Sequence, residues 1–261
     1  MPFFEHLGEL RKRLLISLVT VMVVVMATFN YSEQLFDGLL YPMKNDLSFH
    51  MKYPFMESTP KSAEHHVAMV FLSPAEALWM HLKIAFIAAF GLALPVVLLQ
   101  IWIFISPGLL ANEKKYVMPF IILATMLFLA GASFCLFIVL PFALGFLMTY
   151  KTANLTPMIS IGNYVDFTIK FILAFGAIFE LPIVLVILTR MGVLTPKKLA
   201  EFRKYAMVLA FVAAGILTPT PDAFNQTLMA VPIILLYEIG IIASRVFGRR
   251  KPQKEKDAAA E

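Results

Sequence analysis

Residues 170–190 read KFILAFGAIFELPIVLVILTR: an apolar run of membrane length with one carboxylate, Glu180, close to its middle. About 20 apolar residues cross a bilayer core, so this glutamate lies far from either surface. An ionised carboxylate in hydrocarbon costs several kcal/mol unless it neutralises, finds a partner or faces water. The remainder of the chain is therefore expected to build a helical frame in which this position is tolerable and useful. A structural hydrogen bond to a neighbouring helix is the plainer alternative.

Composition extends that reading to the whole chain. The 261 residues are 60% hydrophobic and 15% charged, with mean hydropathy +0.80. Soluble domains hold about 45–50% apolar and about 25% charged residues, so a polytopic membrane protein is expected. Cys135 is the only cysteine, which leaves no intrachain disulfide and no Cys-based metal site. Arg11, Lys12 and Arg13 precede an apolar run, as in a signal peptide, but no small-residue cleavage site follows. The first segment is expected to stay as a helix.

Outward from Glu180, hydropathy marks six spans: about 14–31, 75–103, 116–148, 164–190, 205–217 and 227–246. Together they predict one transmembrane domain over 1–246, with 247–261 as a disordered cytoplasmic tail. Residues 1–13 place Phe3, Phe4, Leu7 and Leu10 at helical spacing and are expected to lie in the interface before turning inward. Residues 32–74 read as a long outer loop, with a short surface helix near 33–41. Ser73-Pro74-Ala75-Glu76 reads as a helix start, with Ser73 as cap and an acid at the third helical position. Pro95 should bend the second span, and Pro141 the far end of the third. The last two spans read as short.

Charge tests the topology. Of the 22 lysines and arginines, three lie in the N-terminal segment, two in 104–115, five in 190–204 and six from Arg245 onward. Sixteen thus fall on one side, which places both termini in the cytoplasm by the positive-inside rule. Lys83 lies within the second span, seven residues from Glu76 on one helical face, where it can snorkel outward.

Two further carboxylates invite a function. Glu9 in the N-terminal segment and Glu113 in the first inner loop share the cytoplasmic face, and two acids held there could receive two guanidinium groups bidentately. The plainer reading pairs Glu9 with Arg13 one turn on, and Glu113 with Lys114 and Lys115. Asp222 and Gln226, before the last span, read most simply as helix caps. The five histidines are scattered, with no HExxH, no GxSxG and no GxxxxGK[ST]. No cofactor, metal site or enzymatic centre is expected.

The motifs HLGELRKRL (6–14), FLSPAEALWMHLK (71–83), QIWIFISPGLLANEKK (100–115), FGAIFELPI (175–183) and TPTPDAFNQTLMAVPIILLYEIG (218–240) together resemble the TatC family, the multispanning receptor subunit of the twin-arginine translocase. The resemblance implies a curved, cup-like, six-helix fold and a receptor in the bacterial-type cytoplasmic (inner) membrane. It would bind Arg-Arg signal peptides of folded cargo and assemble with single-span TatA and TatB type subunits and with itself, driven by the proton gradient. It further implies Glu9, Glu113, Arg11 and Phe104 at the signal-peptide site. Glu180, Asp222 and Gln226 become functional intramembrane polar positions, and Pro42 a structural one beside Pro95. Two rivals remain: a small-solute transporter coupled through Glu180, and a scaffold without a peptide site.

Overall fold

The computed structural model describes residues 3–49, 56–60, 69–105, 117–149, 158–218 and 223–248. The chain divides into two compact units, residues 1–177 and 178–261. Helix dominates both, as expected of an all-α polytopic membrane protein. Five helical stretches among the described residues are long and apolar enough to cross a bilayer: Leu7–Phe29, Glu76–Phe104, Val117–Met148, Ile161–Arg190 and Gln226–Phe247.

The first unit opens with α1 (Phe3–Phe29), one unbroken helix. The expected separate interfacial segment at 1–13 is not present as its own element. Arg11, Lys12, Arg13 and the leucines around them are good helix formers, so the first span simply extends through them. The described parts of the segment expected as an outer loop hold regular structure. They comprise α2 (Ser32–Lys44) and an antiparallel pair of β1 (Asn45–Phe49) and β2 (Met56–Pro60), with Asn45 opposite Pro60. Strand β3 (Met69–Val70) then pairs in parallel with β4 (Ile159–Ser160).

Helix α3 (Glu76–Ile105) begins where the sequence signal stood, and the Glu76 half of the expected capping box is formed. The Glu76 carboxylate reaches back and accepts from the Leu72 and Ser73 backbone amides at 2.6 and 3.2 Å. Pro95 lies inside α3, where it removes the donor for the Gly91 carbonyl. The third span comprises α4 (Val117–Phe134), a π-helical turn (Cys135–Val139) and α5 (Leu140–Thr149). The Leu140 amide closes that turn on the Cys135 carbonyl. The disturbance expected from Pro141, which has no amide hydrogen, thus comes with a widened turn immediately upstream.

Helix α1 packs along α3, and the buried Thr28 hydroxyl donates to the Ala85 carbonyl at 2.8 Å. Ala85, Ala89 and Ala93, four residues apart on α3, are all buried. Helix α6 (Ile161–Phe179) joins the first unit's core through Ile161, Tyr164 and Val165, which cluster with Leu39, Met43, Met80, Ile84 and Leu140. The Tyr164 hydroxyl donates to the Leu39 carbonyl at 2.8 Å, tying α6 to α2 beside the buried Pro42. Gly176 lets α6 approach α4, since a Cβ there would run into the Phe128 ring.

The fourth span is not one helix. Helix α6 stops at Phe179 and α7 (Leu181–Arg190) starts at Leu181, with Glu180 between them. Pro182 explains the break, because it supplies no amide to the Ile178 carbonyl one turn earlier. Hydropathy is uniform across this point, so the span boundaries alone do not reveal it.

In the second unit α7 ends in a left-handed Gly192, φ 76°, with the Val193 amide on the Leu188 carbonyl at 3.0 Å. The short basic loop then holds α8 (Pro196–Glu201), capped by the Thr195 hydroxyl accepting from the Lys198 amide at 3.3 Å. Helix α9 (Arg203–Leu217) has 15 residues, about 22 Å against a hydrocarbon core of about 30 Å. Helix α10 (Ala223–Phe247) has 25 residues, so the expected brevity of the last two spans is confined to α9. Both α7 and α9 pack on α10, and Leu185, Leu199 and Ile241 form the local core.

Candidate functional site

Glu9 and Arg13 stand one turn apart on α1. The Arg13 guanidinium donates to Glu9 Oε1 at 3.3 Å and to Gln100 Oε1 at 3.2 Å. Gln100 is buried on α3, one turn before Phe104, which lies half-buried near that helix's end. One arginine therefore fixes the Glu9 carboxylate to the end of α3 where Phe104 sits. Both members of the pair remain about one quarter exposed, at 24% and 22%. The plainer reading of Glu9, pairing with Arg13, is thus realised in this structure.

Arg11 is placed differently. Two residues on a helix are about 200° of rotation, so Arg11 projects from the face opposite Glu9 and Arg13. It is exposed. Arg13, the partner expected for Glu9 from the i,i+4 spacing, holds the position together with Gln100, which sequence reasoning did not single out. The available signal for Gln100 was a lone amide in an apolar stretch of α3. Glu113 lies outside the described residues, as does Asp222.

Glu180 sits at the α6–α7 break, and its Oε1 is buried without a hydrogen-bond partner among the described residues. A buried oxygen left open is costly. Gln226 does not cap α10. Its amide donates across to the Phe211 carbonyl of α9 at 3.0 Å, and Gly215 keeps the space open for it. No group of three or more His, Cys, Asp or Glu side chains among the described residues could hold a metal ion.

A third polar group was missed. Lys83 does not simply snorkel: its ammonium donates to Asp166 Oδ1 on α6 at 2.6 Å. The signal lay in an unmatched cation in the second span and an anion at similar depth in the fourth. Glu76 adds to this corner, since its Oε1 accepts from the Ser160 hydroxyl and from the Gly162 amide at 2.7 Å.

Comparison with known proteins gives a consistent result. The family model described as Sec-independent protein translocase protein (TatC) matches residues 5–232. The Sec-independent protein translocase protein TatC of Aquifex aeolicus is 40% identical over 258 residues, covering 98% of this chain and all (100%) of that protein. The protein of the same description from Desulforapulum autotrophicum is 38% identical, covering 99% of this chain and 89% of the relative. A crystal structure of the twin-arginine translocase receptor TatC superposes with TM-score 0.75 at 39% identity, over 94% of this chain and 100% of the other.

Proposed function

This chain belongs to the TatC family of Sec-independent protein translocase proteins, and on that premise we propose that it receives signal peptides carrying consecutive arginines at the cytoplasmic face of the membrane. It is a transport component rather than an enzyme, and a multi-pass membrane protein.

The observation that carries the reading is the Arg13 guanidinium already resting on Glu9. The carboxylate is poised to accept a guanidinium, is partly open to solvent, and is held in place through Gln100. A surface i,i+4 pair stabilises a helix by only about 0.2–0.5 kcal/mol. A peptide arginine able to engage the carboxylate bidentately can displace or share with Arg13 at little cost. Glu113 supplies the second carboxylate in this proposal, and Phe104 an apolar contact beside it. Arg11, on the other face of α1, would serve the surface potential rather than the pair itself.

The peptide's apolar segment would then enter the membrane alongside the spans. Partner subunits of the single-span TatA and TatB type would join, in the bacterial inner membrane, with the proton gradient as the driving force. Glu180, with its open oxygen, and Gln226 would offer polar contacts within the bilayer for those later steps.

Crosslinking of an Arg-Arg signal peptide to the detergent-solubilised chain tests the site. Glu113→Gln and Glu9→Gln should each abolish the crosslink, and a Lys-Lys twin peptide should fail on the unaltered protein. Undiminished crosslinking in Glu113→Gln, or equal binding of the two peptides, removes the assignment.

A further inference from the structure

Away from Glu9, α3 and α6 line an open cavity of about 350 Å³. That is at the small end of ligand cavities, about 300–1,000 Å³. Its polar wall includes Glu76, Lys83, Asn163, Ser160 and Asp166, with Trp79 at its side. Its depth follows from length. Helix α3 has 30 residues, about 45 Å, and exceeds a core of about 30 Å by about 15 Å. Lys83 lies seven residues from the start of α3, about 10 Å along it. The cavity therefore sits where hydrocarbon gives way to headgroups, in the leaflet opposite the N-terminus.

The ion pair in this cavity is poorly covered. The Lys83 and Asp166 side chains are 44% and 42% exposed although they touch at 2.6 Å. At the edge of the hydrocarbon such a pair is costly against acyl chains and favours a polar headgroup as its cover. Lys83 has spent one of three donors on Asp166, and the Asp166 carboxylate keeps acceptor capacity. Trp79 stands one turn from Lys83 on the same face and is 58% exposed. It has the amphipathic character favoured at the interface, and an indole face attracts cations. Beside it Leu78 and Leu82 are exposed along an adjacent stripe, suited to acyl chains.

Charge selects the ligand. A bare anion would face Glu76 and Asp166, and a bare cation would face Lys83. A zwitterion satisfies both signs. Asp166 can hydrogen-bond an ammonium only if the ammonium carries N–H groups, which favours a primary amine over a quaternary one. We propose that this cavity is a specific site for a zwitterionic phospholipid with a primary ammonium headgroup, its phosphate on Lys83 and its ammonium on Asp166 beside Trp79.

The chain has two tryptophans, so Trp102→Phe leaves Trp79 as the sole reporter. This full-length variant would be reconstituted in vesicles containing phosphatidylethanolamine, phosphatidylcholine or phosphatidylglycerol with brominated acyl chains. Quenching of Trp79 should show about a tenfold preference for phosphatidylethanolamine, the value of one charge-assisted hydrogen bond. Lys83→Gln combined with Asp166→Asn should erase it. Equal quenching by all three lipids, or a preference that survives the double substitution, overturns the site. Native mass spectrometry of the unsubstituted chain should show phosphatidylethanolamine retained over the other two, and no retention bias would count equally against it. Glycerophosphoethanolamine, the water-soluble headgroup, should compete only weakly in micelles. Binding as tight as the lipid's would make the ligand a soluble one and overturn the lipid assignment.

Discussion

At the residue scale, Glu76 is engaged at four points in the first unit. It accepts from Leu72, Ser73, Ser160 and Gly162, and so fastens the start of α3 to the start of α6 across 84 to 86 residues of chain. Gly162 makes this approach possible, since a Cβ there would meet Glu76 Oε1 at 2.5 Å. Glu76→Ala should lower the thermal midpoint, and Glu76→Gln should lower it less, because an amide oxygen still accepts. Gly162→Ala should push the carboxylate away and resemble Glu76→Ala. Combining the two should cost no more than the larger single effect, since they act on one contact. Strict additivity in thermal denaturation would show that Glu76 and Gly162 do not act through each other. The sequence made half of this legible. Ser73-Pro74-Ala75-Glu76 announced a helix start, but nothing local could show that the same acid reaches Ser160 and Gly162. Arg13 on Glu9 was legible from i,i+4 spacing, whereas its bond to Gln100 is 87 residues away and needed the fold.

At the element scale, the helices meet closely wherever a glycine faces a neighbour. A Cβ on Gly240 of α10 would lie 2.5 Å from Leu185 Cδ1 and 3.2 Å from the Pro182 Cα of α7. The Pro182 backbone cannot move as a side-chain tip can. Gly240→Ala should therefore part α10 from α7 and destabilise the chain by about 1–3 kcal/mol, as overpacking does. Gly176→Ala, against the buried Phe128 ring, should fall in the same range. Gly91, where an added Cβ would meet nothing within 4 Å, is the control and should tolerate alanine. Denaturation midpoints in detergent would check all three, and a neutral Gly240→Ala would mean that the two helices are not in close contact. Elements were legible where hydropathy or a cap changes, as at Glu76, and illegible where it does not. The α6–α7 break hides inside an unbroken apolar run because Pro182 acts on backbone hydrogen bonds, to which hydropathy is blind. The β1–β2 pair hides in a polar stretch because β2 (Met56–Pro60) does not alternate apolar with polar residues to mark a strand.

At the scale of the whole molecule, the topology depends on α9 crossing the membrane although its 15 residues fall about 8 Å short of the core. Its packing supports a crossing. Arg203 donates to Glu238 at 2.8 Å, and Gln226 donates to the Phe211 carbonyl at 3.0 Å, so α9 and α10 run antiparallel. The arginine-bearing end of α9 thus lies on the same side as Arg245 of α10, as the positive-inside rule requires for a pair of crossings. Arg203 and Lys204, both exposed, can extend their charged tips beyond a short span, and local thinning can supply the rest. Cys135 is fully buried, at 0% exposure, so single cysteines can be mapped without removing it. Ala75→Cys and Ala223→Cys, at exposed positions, should react with an impermeant maleimide from outside intact cells. Lys197→Cys on α8 should react only after permeabilisation. Labelling of Ala223→Cys and Lys197→Cys from the same side would mean that α9 does not cross. The six-span topology, and with it the cytoplasmic placement of both ends, would then be lost.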